Sequence, residues 1–171
     1  MISKMNEIPV TILTRAEIWL CITTLIYFLM NGAQIFETFV IIPKWTSSPP
    51  DSLHFFKGKY GLDLKTFWIV IHSLHEITFI LAIIFCWKLE IRNPLLILFA
   101  IHFAVRMWTI LYFAPNVIEF QKISNSGEII PNLIDKTTMW RNLNYIRVGV
   151  FLAVSVGLVQ LCMKVLNLKI Y

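Results

Sequence analysis

The chain is 171 residues long, 57% hydrophobic and only 15% charged, against roughly 25% charged in soluble domains. With a mean hydropathy of +0.70, it falls in the membrane class before any motif is read. The formal charge of +5 is no nucleic-acid signature, because the Lys and Arg residues sit mostly at the ends of apolar runs, where they anchor to headgroups. Three cysteines in no metal-site spacing offer neither a disulfide framework nor a zinc motif. Cys21, Cys86 and Cys162 read as small apolar fillers.

In chain order, four stretches are long and apolar enough to span a bilayer, each needing about 20 residues. They cover about 18–42, 66–87, 94–114 and 140–163. The first is far longer than the roughly 7–15 apolar residues of a signal peptide and reads as a span. It is expected to stop at Pro43, and the third to fade at "YFAPN" (112–116), since proline disrupts a helix interior. The expected fold is therefore all-α: an integral membrane four-helix bundle, one transmembrane domain over 1–171, with two long loops on one side. Those loops are 43–65 and 114–139. The first carries "WTSSPPDS", whose proline pair forces an extended or turned chain, and the second carries the turn cluster "SNSGE".

Four spans put both termini on one side, here side A. Basic residues divide almost evenly. Side A has Lys4, Arg15, Lys88, Arg92, Lys164 and Lys169; side B has Lys44, Lys57, Lys59, Lys65, Lys122, Lys136 and Arg141. The short side-A linker "KLEIRN" (88–93) weighs more than the long loops, so both termini are expected to be cytoplasmic and the protein to be multi-pass in the cell membrane.

Each span has one face that lipid would reject. Residues three and four apart share a helix face. That rule groups Asn31, Gln34 and Glu37 in the first span, and Trp68, His72, His75, Glu76 and Phe79 in the second. It groups His102, Arg106 and Thr109 in the third, and Trp140, Asn144, Arg147 and Ser155 in the fourth. At about 1.5 Å per residue, Glu37, His72, Arg106 and Arg147 all lie about 9–10 Å from the side-B end. Gln34, His75, Glu76 and His102 lie about one turn deeper. The polar faces are expected to meet inside the bundle.

Three readings of that cluster are open. In the first it is structural: Glu37 and Glu76 balance Arg106 and Arg147, as buried membrane charges must be balanced. In the second, His72, His75, Glu76, His102 and Glu37 supply a mixed N/O ligand set for a transition metal such as iron, copper or zinc. "HSLHE" (72–76) lacks the order of the H-E-x-x-H zinc motif. In the third, a His/Glu pair acts as general base and an arginine stabilises an enolate or phenolate. The aromatics Trp68, Phe79, Trp108, Tyr112, Trp140 and Tyr145 would then wall a pocket for a flat, apolar substrate arriving from the bilayer. A transporter fits less well, for want of an internal repeat or broken-helix signature.

The fourth span opens "WRNLNYIR" (140–147), and the first contains "FLMNGAQIFETFVIIPKW" (28–45). In these two stretches the chain resembles the anthrone-oxygenase-like family of small four-span membrane proteins. The resemblance implies oxygen-dependent conversion of anthrones to anthraquinones, without an established cofactor. It implies site roles for Trp140, Asn144 and Arg147. The "HSLHE" segment and Glu37 have no counterpart in the family pattern.

The resulting expectation is a membrane oxidoreductase, oxygenase-like, acting on a lipophilic, aromatic substrate. The expected catalytic residues are Glu76, His75, Arg106 and Arg147, and the expected substrate contacts Trp140, Asn144, Trp68 and Tyr112. The alternative is a non-enzymatic four-span protein whose cluster is an ion-pair network or binds a partner. The partners are lipid and a lipophilic small molecule, not nucleic acid.

Overall fold

The computed structural model describes residues 9–126 and 131–170. Lys4 and residues 127–128 of the "SNSGE" cluster lie outside that range. Helix α1 (Val10–Phe36) leads through a π-helical turn (Glu37–Ile41) into α2 (Ile42–Thr46). A 3₁₀ turn (Asp51–Phe56) precedes α3 (Lys65–Phe85). Helix α4 (Arg92–Trp108) runs through a second π turn (Thr109–Phe113) into α5 (Ala114–Ser126), and α6 (Leu133–Ile170) closes the fold. Among the described residues there is no strand. Four continuous helical stretches are long and apolar enough to cross a membrane: Val10–Thr46, Lys65–Phe85, Arg92–Ser124 and Leu133–Leu168. The protein is an all-α, multi-pass bundle.

The helices do not stop where proline was expected to stop them. Pro43 and Pro115 sit inside continuous helices, and each lies six residues after the start of a π turn, at Glu37 and Thr109. Proline lacks an N–H, and its ring crowds the carbonyl four residues back. Widening the preceding turn shifts that carbonyl and lets the helix continue. In both turns the amide beyond reaches back five residues, Ile42 to Glu37 and Ala114 to Thr109. The stretch 114–139, expected as a loop, is consequently helical through Ser126 and again from Leu133.

Helix α1 packs along both α3 and α6, and α4 packs on α6, while α3 and α4 have more widely spaced backbones and meet through side chains, His75 with His102 and Phe79 with Phe99. The bundle is therefore ordered α3–α1–α6–α4, with a slot between the outer two. Two apolar clusters hold it together. One, around Leu20, Tyr27, Phe79, Leu95, Phe151 and Leu158, fills the centre and the side-A half. The other caps side B: Trp45 packs on Phe56, Phe120 and Trp140, joined by Ile42, Leu53 and Phe113. The 43–65 linker supplies much of this cap. The cysteines pack toward side A, where the Thr24 hydroxyl meets Cys162 Sγ at 3.2 Å.

At the α4–α6 contact Gly157 packs under the Leu98 side chain. A Cβ there would sit 2.8 Å from Leu98 Cδ2. Overpacking of this kind costs about 1–3 kcal/mol. Gly157→Leu is expected to lower the melting temperature in detergent, and Leu98→Ala in the same chain to restore most of it. A Gly157→Leu protein that melts like the parent would show that the two helices are not in close contact.

Candidate functional site

Between the two apolar clusters lies a cavity of about 300 Å³. Every span contributes to its wall: Gln34 and Glu37 from the first, Trp68 and His72 from the second, Arg106, Thr109 and Phe113 from the third, Trp140 and Arg147 from the fourth. Trp45 and Phe56 roof it from the side-B cap. Both π turns border it, through Glu37 and through Thr109, Ile110 and Phe113. Such turns recur at functional sites, where they redirect side chains without ending the helix.

One ion pair anchors this wall. Arg106 Nε donates to Glu76 Oε1 at 3.1 Å, across the slot between α3 and α4. Glu37 has Arg147 and Trp68 as its favourable neighbours. Two contacts hold Arg147 in place. Its Nη2 donates to Asn144 Oδ1 at 2.6 Å, and its guanidinium lies 4.3 Å over the Phe113 ring. Asn144 in turn donates to Thr38 Oγ1 at 3.0 Å. A buried charge needs such supports, because desolvation takes several kcal/mol from each ion. Trp140 donates its indole N–H to the Phe113 carbonyl at 3.2 Å, tying α6 to the second π turn.

One turn deeper, behind the cavity, stand His75 and His102. Their rings are 4.5 Å apart. His75 meets the Tyr27 ring edge-on at 4.3 Å, and the Tyr27 hydroxyl lies 3.3 Å from His102 Nδ1. Phe79 and Phe151 enclose the group. Several buried polar atoms have no hydrogen-bond partner in the protein: Gln34 Oε1, His72 Nδ1 and Arg147 Nε at the cavity, and both His75 nitrogens and His102 Nε2 behind it.

The expected site residues thus separate into groups. Glu37, Trp68, His72, Arg106, Trp140 and Arg147 share the cavity wall. Asn144 orients Arg147 rather than facing the cavity, and Tyr112 packs against Phe113 instead. Glu76 is engaged with Arg106. The five-residue metal set His72, His75, Glu76, His102 and Glu37 does not assemble. Among the described residues, no three His, Cys, Asp or Glu side chains form a group that could hold an ion. Glu76 is drawn to Arg106, Glu37 stays beside Arg147, and His75 and His102 pack with Tyr27. Two participants escaped the sequence reading, Tyr27 and Thr38. Both are buried, Tyr27 on α1 and Thr38 in the π turn that follows it, and the spacing 27–31–34–38 continues the Asn31–Gln34 stripe.

Comparisons with protein-family models, with curated proteins and with solved structures find no match to this chain.

The Arg106–Glu76 bridge gives a direct test of pairing. Removing one member of a buried pair strands the other, at about 3–5 kcal/mol for a fully buried pair. This pair is half-exposed, so a smaller loss is expected. Glu76→Gln is expected to lower the melting temperature by several degrees, and Glu76→Gln/Arg106→Gln to recover much of it. Equal and additive losses would show that the two side chains act independently.

Proposed function

We propose that this protein is a membrane oxidoreductase of the oxygenase type, acting on a flat, lipophilic substrate held in the intramembrane cavity. One observation carries the reading: buried polar groups from all four spans share a single wall with Trp45, Trp68 and Trp140. Aromatic faces suit a planar ring, and the few polar atoms at one end suit a ring oxygen. The Trp140, Asn144 and Arg147 positions are those that the anthrone-oxygenase-like resemblance implicates.

In this reading the substrate carries an acidic C–H beside a carbonyl. His72 takes that proton as general base. Arg147, positioned by Asn144, and Arg106 stabilise the enolate oxygen in a water-poor site, where fixed charge acts most strongly. The electron-rich carbon then reacts with O₂. The methylene becomes a carbonyl, and the second oxygen atom leaves as water, so CH₂ + O₂ gives C=O + H₂O. Glu37 keeps Arg147 neutralised until the oxyanion forms. His75 and Glu76, expected as catalytic, stand outside this step, in support of His72 and Arg106. We place the protein in the cell membrane with both termini cytoplasmic.

The charge balance also favours a second reading, in which the Glu76–Arg106 bridge and the Glu37–Arg147 pair serve stability alone.

Oxygen uptake by the detergent-solubilised protein with an anthrone substrate separates the two. Turnover is expected above the uncatalysed rate. His72→Gln is expected to lower it by about 10²–10⁴-fold, the usual share of a general base, with an unchanged melting temperature. Uptake no faster than the protein-free blank, with no binding of aromatic ketones, would leave the structural reading.

A further inference from the structure

The cavity has a polar end and an open apolar side, and together they define a ligand more narrowly than its lipophilicity does. At the polar end, Arg147 Nε, His72 Nδ1 and Gln34 Oε1 have no partner in the protein. All three residues line the cavity and are more than nine-tenths buried. An arginine Nε–H can only donate, whereas an imidazole and a carboxamide can each donate or accept. A hydrocarbon placed here would leave each of them unpaired, at about 1–3 kcal/mol apiece. A ligand with more than one ring oxygen satisfies them.

Charge narrows the choice further. Arg106 is already bridged by Glu76, and Glu37 is the favourable charge near Arg147. Glu37 and Glu76 balance Arg106 and Arg147 at the buried end, and Lys65, also on the wall, is exposed, so a neutral oxygenated head fits better there than a carboxylate or phosphate, which would have to compete with those carboxylates.

The open side faces lipid. Ile69, Ile110 and Ile118 are on the cavity wall, yet they are 52%, 46% and 46% exposed. They border the slot between the α3 and α4 backbones, on the side-B side of the His75–His102 and Phe79–Phe99 contacts. A cavity of about 300 Å³ is at the small end for ligand sites. It has room for a compact ring head but not for a long chain as well. A chain would leave through the slot.

We infer that the cavity binds a tailed quinone or its quinol. The ring lies among the tryptophans, its oxygens meet Arg147, His72 and Gln34, and its apolar tail passes between α3 and α4 into the bilayer. This rests on the cavity being a ligand site, as proposed above, but requires no electron transfer.

The test titrates the full chain in detergent with a decyl-tailed naphthoquinone, with tail-less menadione and with anthrone, reading tryptophan fluorescence. Saturable quenching by the tailed quinone is expected, with menadione about tenfold weaker, a difference of about 1.4 kcal/mol. His72→Phe and Gln34→Leu, which remove polar atoms without stranding a charge, are each expected to weaken both quinones about tenfold. Ile69→Trp, in the slot, is expected to weaken the tailed quinone alone. Linear quenching that the variants leave unchanged overturns the inference, as does tailed and tail-less binding of equal strength. Saturable anthrone binding without quinone binding overturns it while sparing the proposed oxidoreductase; binding of neither removes both.

Discussion

A bilayer interior offers no water to a charged side chain, and everything else in this bundle follows from how that constraint is met. Around the cavity, Glu76 bridges to Arg106 on another helix, and Glu37 and Arg147 lie near enough to favour each other's charge. Stranding a buried member of such a pair costs about 3–5 kcal/mol, a large part of the roughly 5–15 kcal/mol that holds a typical domain folded. The Leu, Ile and Val faces have no comparable say, because lipid tails receive them as readily as a neighbouring helix does. Polar contacts therefore set the rotation of each helix, and close packing such as that of Gly157 on Leu98 completes the fit.

The cavity arises where this arrangement meets the two intrahelical prolines. Pro43 and Pro115 each follow a widened turn, and the two turns lie on the same wall. The helices continue past them toward side B, where Trp45, Phe113, Phe120 and Trp140 form a second apolar cluster. The space between this cap and the central core remains unfilled by side chains. Backbone irregularity and polar convergence coincide in one place, which is uncommon unless something binds there.

The fold was largely legible in the sequence, since four long apolar runs leave few alternatives. The polar face of each span was legible too, through three- and four-residue spacing, and simple depth counting placed Glu37, His72, Arg106 and Arg147 in one layer. What spacing could not supply was position around the bundle axis. Depth alone put Glu76 and His102 beside His72 as metal ligands, but Glu76 turns to Arg106 and His102 packs with His75 and Tyr27. Proline misled for a local reason: the rule that it ends a helix presumes α geometry, and a π turn relieves the clash. Tyr27 was hidden because a tyrosine in an apolar run reads as packing, although its spacing to Asn31 and Gln34 placed it on the inner face.

The central claim is that opposite charges on the first and last spans stabilise each other across a dry interior, and a charge swap between Glu37 and Arg147 tests it most directly. Glu37→Arg and Arg147→Glu should each yield little folded, monodisperse protein in detergent, since each brings like charges together. The doubly swapped chain should recover much of the parent's yield and melting temperature. A swapped chain no better than either single variant, or single variants that fold like the parent, would contradict the account.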